Sequence, residues 1–289
     1  MNKRNPLLST QSQAGFSLVD VMVGMVIALL GMIIIFQVFS VSEGIKRTTT
    51  SGGDALQNGA SSLFTLERSL KEAGYGFLPA VGALAANPVA GTASISIGAT
   101  ANGCTLAVAN TSDCLIIRYR NWEFGSFNPN ATNFPGITIP ALITETISVN
   151  AQSQLVSDLN GIISDGIVLL KAEYGIDANM SGSIDDNEWS QTAPVVNGLF
   201  PRVDPVGTLL AIRLAVVARS VQPEKPSVAG GVCDTTTVAP TWIGSFVTAN
   251  HPVAVPLDLS GQADLLAVGA NEWKCYRYKT FETTVAFRN

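Results

Sequence analysis

The sequence predicts an α+β chain: a long N-terminal helix whose first half spans a membrane, followed by a β-rich exported head. Three observations predict it. Residues 16–39 run apolar with one charge, Asp20. Behind them, as far as Gly76, apolar residues recur at helical spacing, and from Pro79 onward short apolar or alternating runs are parted by Gly, Pro, Asn and Asp. With 47% hydrophobic and 13% charged residues, the chain has side chains enough for a sizeable core and is too apolar to be disordered.

Residues 1–15, MNKRNPLLSTQSQAG, form a short polar leader whose Lys3 and Arg4 keep that end cytoplasmic. Its loss removes two cations and takes the net charge from −5 to −7. An acidic chain repels phosphate backbones, which argues against nucleic-acid binding through overall charge.

Residues 16–39 exceed the roughly twenty that a helix needs to cross a bilayer. Gly24 and Gly31 are tolerated there, because small residues let membrane helices approach one another. A secretory signal places its cleavage site after the apolar run and loses the run on cutting. Here the candidate cut, between Gly15 and Phe16, comes first, so the helix becomes the new N-terminus. Asp20, inside the apolar run, costs about 2.5–3.5 kcal/mol in hydrocarbon unless a partner neutralises it.

Beyond Phe39, the residues Val41, Ile45, Leu56, Leu63, Leu66 and Leu70 continue one helical face among polar neighbours. The helix is expected to run over residues 16–76. The β-branched and glycine residues at 48–53 (TTTSGG) predict a break or melted turn. Arg68, Lys71 and Gly74-Tyr75-Gly76 are C-terminal signals.

The head, residues 77–289, reads as one β-rich domain. Strands are expected over residues 94–97, 105–109, 114–119, 142–149, 166–174, 209–217 and 273–287, with long loops over 80–93, 121–140 and 223–240. The four cysteines, Cys104, Cys114, Cys233 and Cys275, are too far apart for a CxxC redox or zinc motif. Exported, they suit two disulfides, with three possible pairings. Pairing neighbours, Cys104 with Cys114 and Cys233 with Cys275, keeps each link within a local piece of sheet, and buried free thiols are the alternative.

Residues 177–188, DANMSGSIDDNE, match the ligand pattern of a calcium loop of EF-hand type. Asp177, Asn179, Ser181, Asp185 and Glu188 supply side-chain oxygens, Ser183 a backbone carbonyl, and Gly182 the sharp turn. An expected strand before the loop and Pro194 after it leave no room for the two EF-hand helices. The competing reading is a solvated turn, which Asp, Asn, Ser and Gly favour for backbone reasons alone.

Enzyme signatures are missing. The one histidine, His251, precedes a proline and has no recognisable triad partners, and there is no GxSxG, P-loop or dinucleotide fingerprint. Asp165, Asp185, Asp186 and Glu188 read more naturally as solvated or metal-bound acids than as a catalytic pair.

Gly15-Phe16-Ser17-Leu18, the acid Asp20 and the apolar helix resemble the prepilin cleavage and methylation motif of type IV pilins and type II secretion pseudopilins. The resemblance implies cutting by a prepilin peptidase, N-methylation of Phe16, and pairing of Asp20, where the family usually carries Glu, with the freed amine of the same or a neighbouring subunit. Residues 67–77 (ERSLKEAGYGF), 166–177, 217–223 (VARSVQP) and 276–289 resemble the PilW family of minor pilins. That resemblance implies a structural protein in the inner membrane, with a periplasmic head and a pilin-like fold, that initiates or caps a type IV pilus. Its partners would be other major and minor pilins and the pilus assembly platform. A type II secretion pseudopilin, or a calcium-dependent tip adhesin, are the alternative expectations.

Overall fold

The computed structural model describes residues 15, 17–75, 95–98, 112–120, 142–191, 202–203, 207–226, 228, 230–244, 253–259, 262, 265 and 272–286. The expected strand at 105–109, the loops at 80–93 and 121–140, and His251 lie outside them. The chain forms two compact units, residues 1–49 and 50–289. Its architecture is α+β, a long N-terminal helix followed by antiparallel sheets, as the sequence predicts.

Helix α1 covers Leu18–Glu72. Within the first unit its side chains are exposed on every side, from Leu18, Val19 and Met22 through Phe36, Phe39 and Ile45. As far as Phe39 this surface lacks any polar face for water, and the helix is long and apolar enough to cross a membrane. The break expected at residues 48–53 does not occur. The Thr49 hydroxyl donates to the Ile45 carbonyl at 2.9 Å, and Ser51 and Ala55 are buried in the second unit. Packing of that face outweighs the glycine and threonine penalties, which are each below about 1 kcal/mol.

In the second unit α1 buries Ser51, Ala55, Gly59, Ser62, Leu66 and Leu70, spaced three or four residues apart. The small side chains come first and bring the helix close to the sheet. A Cβ on Gly59 would stand 2.0 Å from the Phe281 ring. The buried Ser62 hydroxyl is satisfied within the helix, donating to the Asn58 carbonyl at 2.7 Å. After the helix, Gly74 (φ 75°) donates its N–H to the Arg118 carbonyl at 2.9 Å.

The first sheet is an antiparallel meander of β1 (Ile95–Gly98), β2 (Cys114–Arg120), β3 (Leu142–Val149), β4 (Gln154–Ser157) and β5 (Gly161–Asp165). Gly166 (φ 71°) turns the chain into the second sheet, with β6 (Ile167–Asp177), β7 (Trp189–Ser190), β8 (Arg202–Val203) and β9 (Gly207–Arg219). A separate hairpin pairs β10 (Thr241–Gly244) with β11 (Val253–Pro256), and β12 (Tyr278–Ala286) completes the order β12-β9-β6-β7, with β8 on β9. The strand expected from 273 starts later, because Glu272–Cys275 form a 3-10 turn.

Strands β6 and β9 are buried on both faces, so both read in sequence as nearly unbroken apolar runs. One face, with Leu170, Ala172, Tyr174, Ile212, Leu214 and Val216, joins β1–β4 and α1 in the main core. The other, with Val168, Leu169, Ala215 and Val217, packs under Trp242, Leu257 and Leu259. The Tyr174 hydroxyl accepts the Ile97 N–H at 2.7 Å, a rung between the two sheets inside the core. Burial pushes this phenol up to about 12, while the Ile97 N–H and the charge of Arg118 pull it back.

Cys233 is disulfide-bonded to Cys275, with Cα atoms 4.8 Å apart, as neighbour pairing expects. Around this link the loop after β9 is fastened to the residues before β12. Glu224 donates its N–H to the Cys275 carbonyl at 2.7 Å, and its carboxylate pairs with Arg277. The Thr236 N–H donates to the Lys274 carbonyl at 3.0 Å. Cys114 is also disulfide-bonded. Its expected partner, Cys104, lies outside the described residues.

Candidate functional site

The N-terminal motif is described in part. Gly15 is exposed, Phe16 lies outside the described residues, and Asp20 stands in the first turn of α1, where its N–H donates to the Ser17 carbonyl at 3.0 Å. A carboxylate at this end complements the exposed N–H groups and positive dipole of the helix.

Loop 177–188 begins where β6 ends. The Asp177 carboxylate, 4% exposed, takes the N–H of Ser181 on one oxygen at 2.9 Å and of Gly182 on the other at 2.8 Å. Gly182, at φ 84°, sits in the left-handed region that the turn requires, and Met180, at φ 58°, sits there without glycine's freedom. At the other end Glu188, 8% exposed, folds back over the loop. One of its oxygens accepts from Ala178 and Asn179 at 2.9 and 3.2 Å, the other from Asp185 N–H at 2.9 Å.

The remaining sequence-predicted ligands face each other across this frame. Asn179 Nδ2 donates to Asp185 Oδ2 at 3.0 Å, and the Ser181 hydroxyl donates to the Ser183 carbonyl at 3.1 Å. The loop thus gathers all six named residues, but not into a tight carboxylate cage. Among the described residues, the group of three whose ligand atoms lie within 4.8 Å of one another is Cys233, Glu272 and Cys275, and not Asp177, Asp185 and Glu188. The cysteines of that group share a disulfide, so they offer no thiolate to a metal.

The loop is anchored from outside by a notch. A Cβ on Gly175 would come 2.5 Å from Ile184 Cδ1 and 2.9 Å from the Trp189 ring, so this glycine lets both side chains lie against β6. β7 then pairs with Tyr174 and Gly175, and the Trp189 ring lies 4.5 Å from the Arg213 guanidinium carbon. Arg213 also faces Trp242, at 5.9 Å, and pairs with the fully buried Glu173. Sequence reasoning missed this stack. A glycine inside an otherwise apolar strand run was the available signal, while the approach of Arg213 from β9 is non-local and carries none.

The family model "Type IV Pilus-assembly protein W" matches residues 129–289. No curated protein matches the chain. Among solved structures, a type IV-like pilin from Thermus thermophilus is similar over 81% of this chain and 94% of its own, at 14% identity and a TM-score of 0.37.

Proposed function

Since the chain belongs to the type IV pilus-assembly protein W family, we propose that it is a structural minor pilin, not an enzyme, which initiates or caps pilus assembly by packing its N-terminal helix among other pilins. The observation that carries this reading is the apolar surface of α1 from Leu18 to Phe39, where Asp20, near its start, is the single charged residue. Such a helix is stable only in a bilayer or among other apolar helices. The order of events begins with anchoring in the inner membrane, the head outside. A prepilin peptidase then cuts after Gly15 and methylates Phe16, and at the assembly platform Asp20 pairs with a neighbouring subunit's terminal amine.

Deletion with pilus counting by electron microscopy tests the role. Few or no pili are expected, with Asp20→Glu restoring them and Asp20→Ala or a blocked Gly15 junction failing to. Normal piliation without the protein overturns the reading.

A second site is proposed on its own grounds: loop 177–188 takes a calcium ion through Asp177, Asn179, Ser181, Asp185, Glu188 and the Ser183 carbonyl. Supporting it are two carboxylates, Asp177 and Glu188, more than nine-tenths buried and satisfied by backbone N–H groups with no cationic partner among the described residues. A buried anion of this kind gains from a metal. Binding closes the loop by drawing the carboxylates inward. Terbium luminescence sensitised through Trp189 and competed by calcium is expected in the full chain, and lost in Asp177→Ala with Glu188→Ala. Equal signal from the double variant, or none from wild type, removes the proposal.

A further inference from the structure

On the edge of β6 away from β9, ahead of the β7 pairing at Tyr174 and Gly175, residues 112 and 113 take the place of a strand among the described residues. Asp113 donates its N–H to the Leu170 carbonyl at 2.7 Å, Leu170 N–H reaches the Ser112 hydroxyl at 3.1 Å, and Asp113 Oδ2 accepts the Ala172 N–H at 3.0 Å. These bonds hold the Asp113 carboxyl in one orientation. Its other oxygen lies 3.0 Å from Lys171 Nζ, with side chains 5% and 16% exposed. The pair joins the first sheet, which Asp113 enters one residue before β2, to the middle of the second.

An amine and a carboxyl fixed at this distance, with little water between or around them, are the two halves of an amide. We propose that Lys171 and Asp113 condense to an intramolecular isopeptide bond that fastens the two sheets together covalently. The step balances without a co-reactant. A proton passes from the Lys171 ammonium to Asp113 across their hydrogen bond, giving free amine and neutral acid. Lys171 Nζ then bonds to Asp113 Cγ, the Cγ–OH bond breaks, and a second Nζ proton leaves with the hydroxyl as water.

Three features favour this over a permanent ion pair. A buried ion pair forfeits the hydration of both charges, whereas a neutral pair does not. Burial pushes the Asp113 carboxyl up, and the nearby charge of Glu173 adds to that, although Lys171 and the Ala172 N–H pull it back. Held reactants also behave as if at very high concentration, on the order of 10⁵–10⁸ M for well-oriented groups, which offsets the unfavourable loss of water in condensation.

Mass spectrometry of the full chain, purified in detergent, reduced and digested with trypsin, decides the matter. The expected result is a peptide carrying Asp113 joined to one carrying an uncut Lys171, one water lighter than their sum, and absent from Asp113→Ala and Lys171→Arg. A wild-type digest in which Lys171 is cut normally and no joined peptide is found overturns the proposal, and that measurement does not depend on either variant folding.

Discussion

Tyr174 shows how one residue sets a pH limit on the whole head. Its hydroxyl, 1% exposed, serves the Ile97 N–H, and its folded-state value lies at about 12 against 10.0 for a free phenol. Because the folded value is raised, the stability linked to it is complete below pH 10 and is lost as the pH climbs through about 12. The loss amounts to about 2–3 kcal/mol. Urea midpoints measured across that window are expected to fall steeply in wild type and less so in Tyr174→Phe, which starts about 1 kcal/mol lower because Ile97 loses its acceptor. None of this could be read from the sequence, since the partner lies 77 positions away. The residues that loop 177–188 gathers were legible one by one, because their spacing is local. The width of the cage and the notch at Gly175 were not, since they depend on where β6 and β7 meet.

At the scale of elements, α1 and β12 meet at Gly59. A methyl group there would lie 2.0 Å from Phe281. Alanine is the better helix former by about 1 kcal/mol, while overpacking costs about 1–3 kcal/mol. The clash is with a rigid ring that is itself packed against the main core, although β12 is the end strand of its sheet, so the cost wins. Gly59→Ala is expected to lower the thermal midpoint, and Phe281→Leu in the same chain to recover part of it; a Gly59→Ala chain as stable as wild type would contradict the packing. The long elements α1, β3, β6 and β9 were legible because their apolar patterns or runs extend over many residues. The four-residue β4 and the five-residue β5 were missed, being too short for alternation to register, although Asn160-Gly161 marks their turn. The supposed break at 48–53 failed for the opposite reason. It rested on local propensity, and burial of Ser51 and Ala55 overrode it.

For the molecule as a whole, the division into units at residue 49 yields a further expectation. The helical turns that enter the main core, Ala55 through Leu70, all belong to the second unit, so a chain begun at Thr50 keeps its core intact. That chain is expected to leave the membrane fraction and to unfold cooperatively, while the full chain stays with the membrane; aggregation of the truncated form with no unfolding transition would count against it. The loop around Cys233 carries a different consequence. Its shape is set by the disulfide, by Arg277 against Glu224 and by the Thr236 backbone bond, while Val228, Val232 and Val238 are 69–79% exposed and take no part in these fastenings. A surface whose form is fixed elsewhere is free to change its identity. Substitutions at these valines are therefore expected to cost folding little, within about 0.5 kcal/mol each, and urea unfolding of Val228, Val232 and Val238 variants checks it.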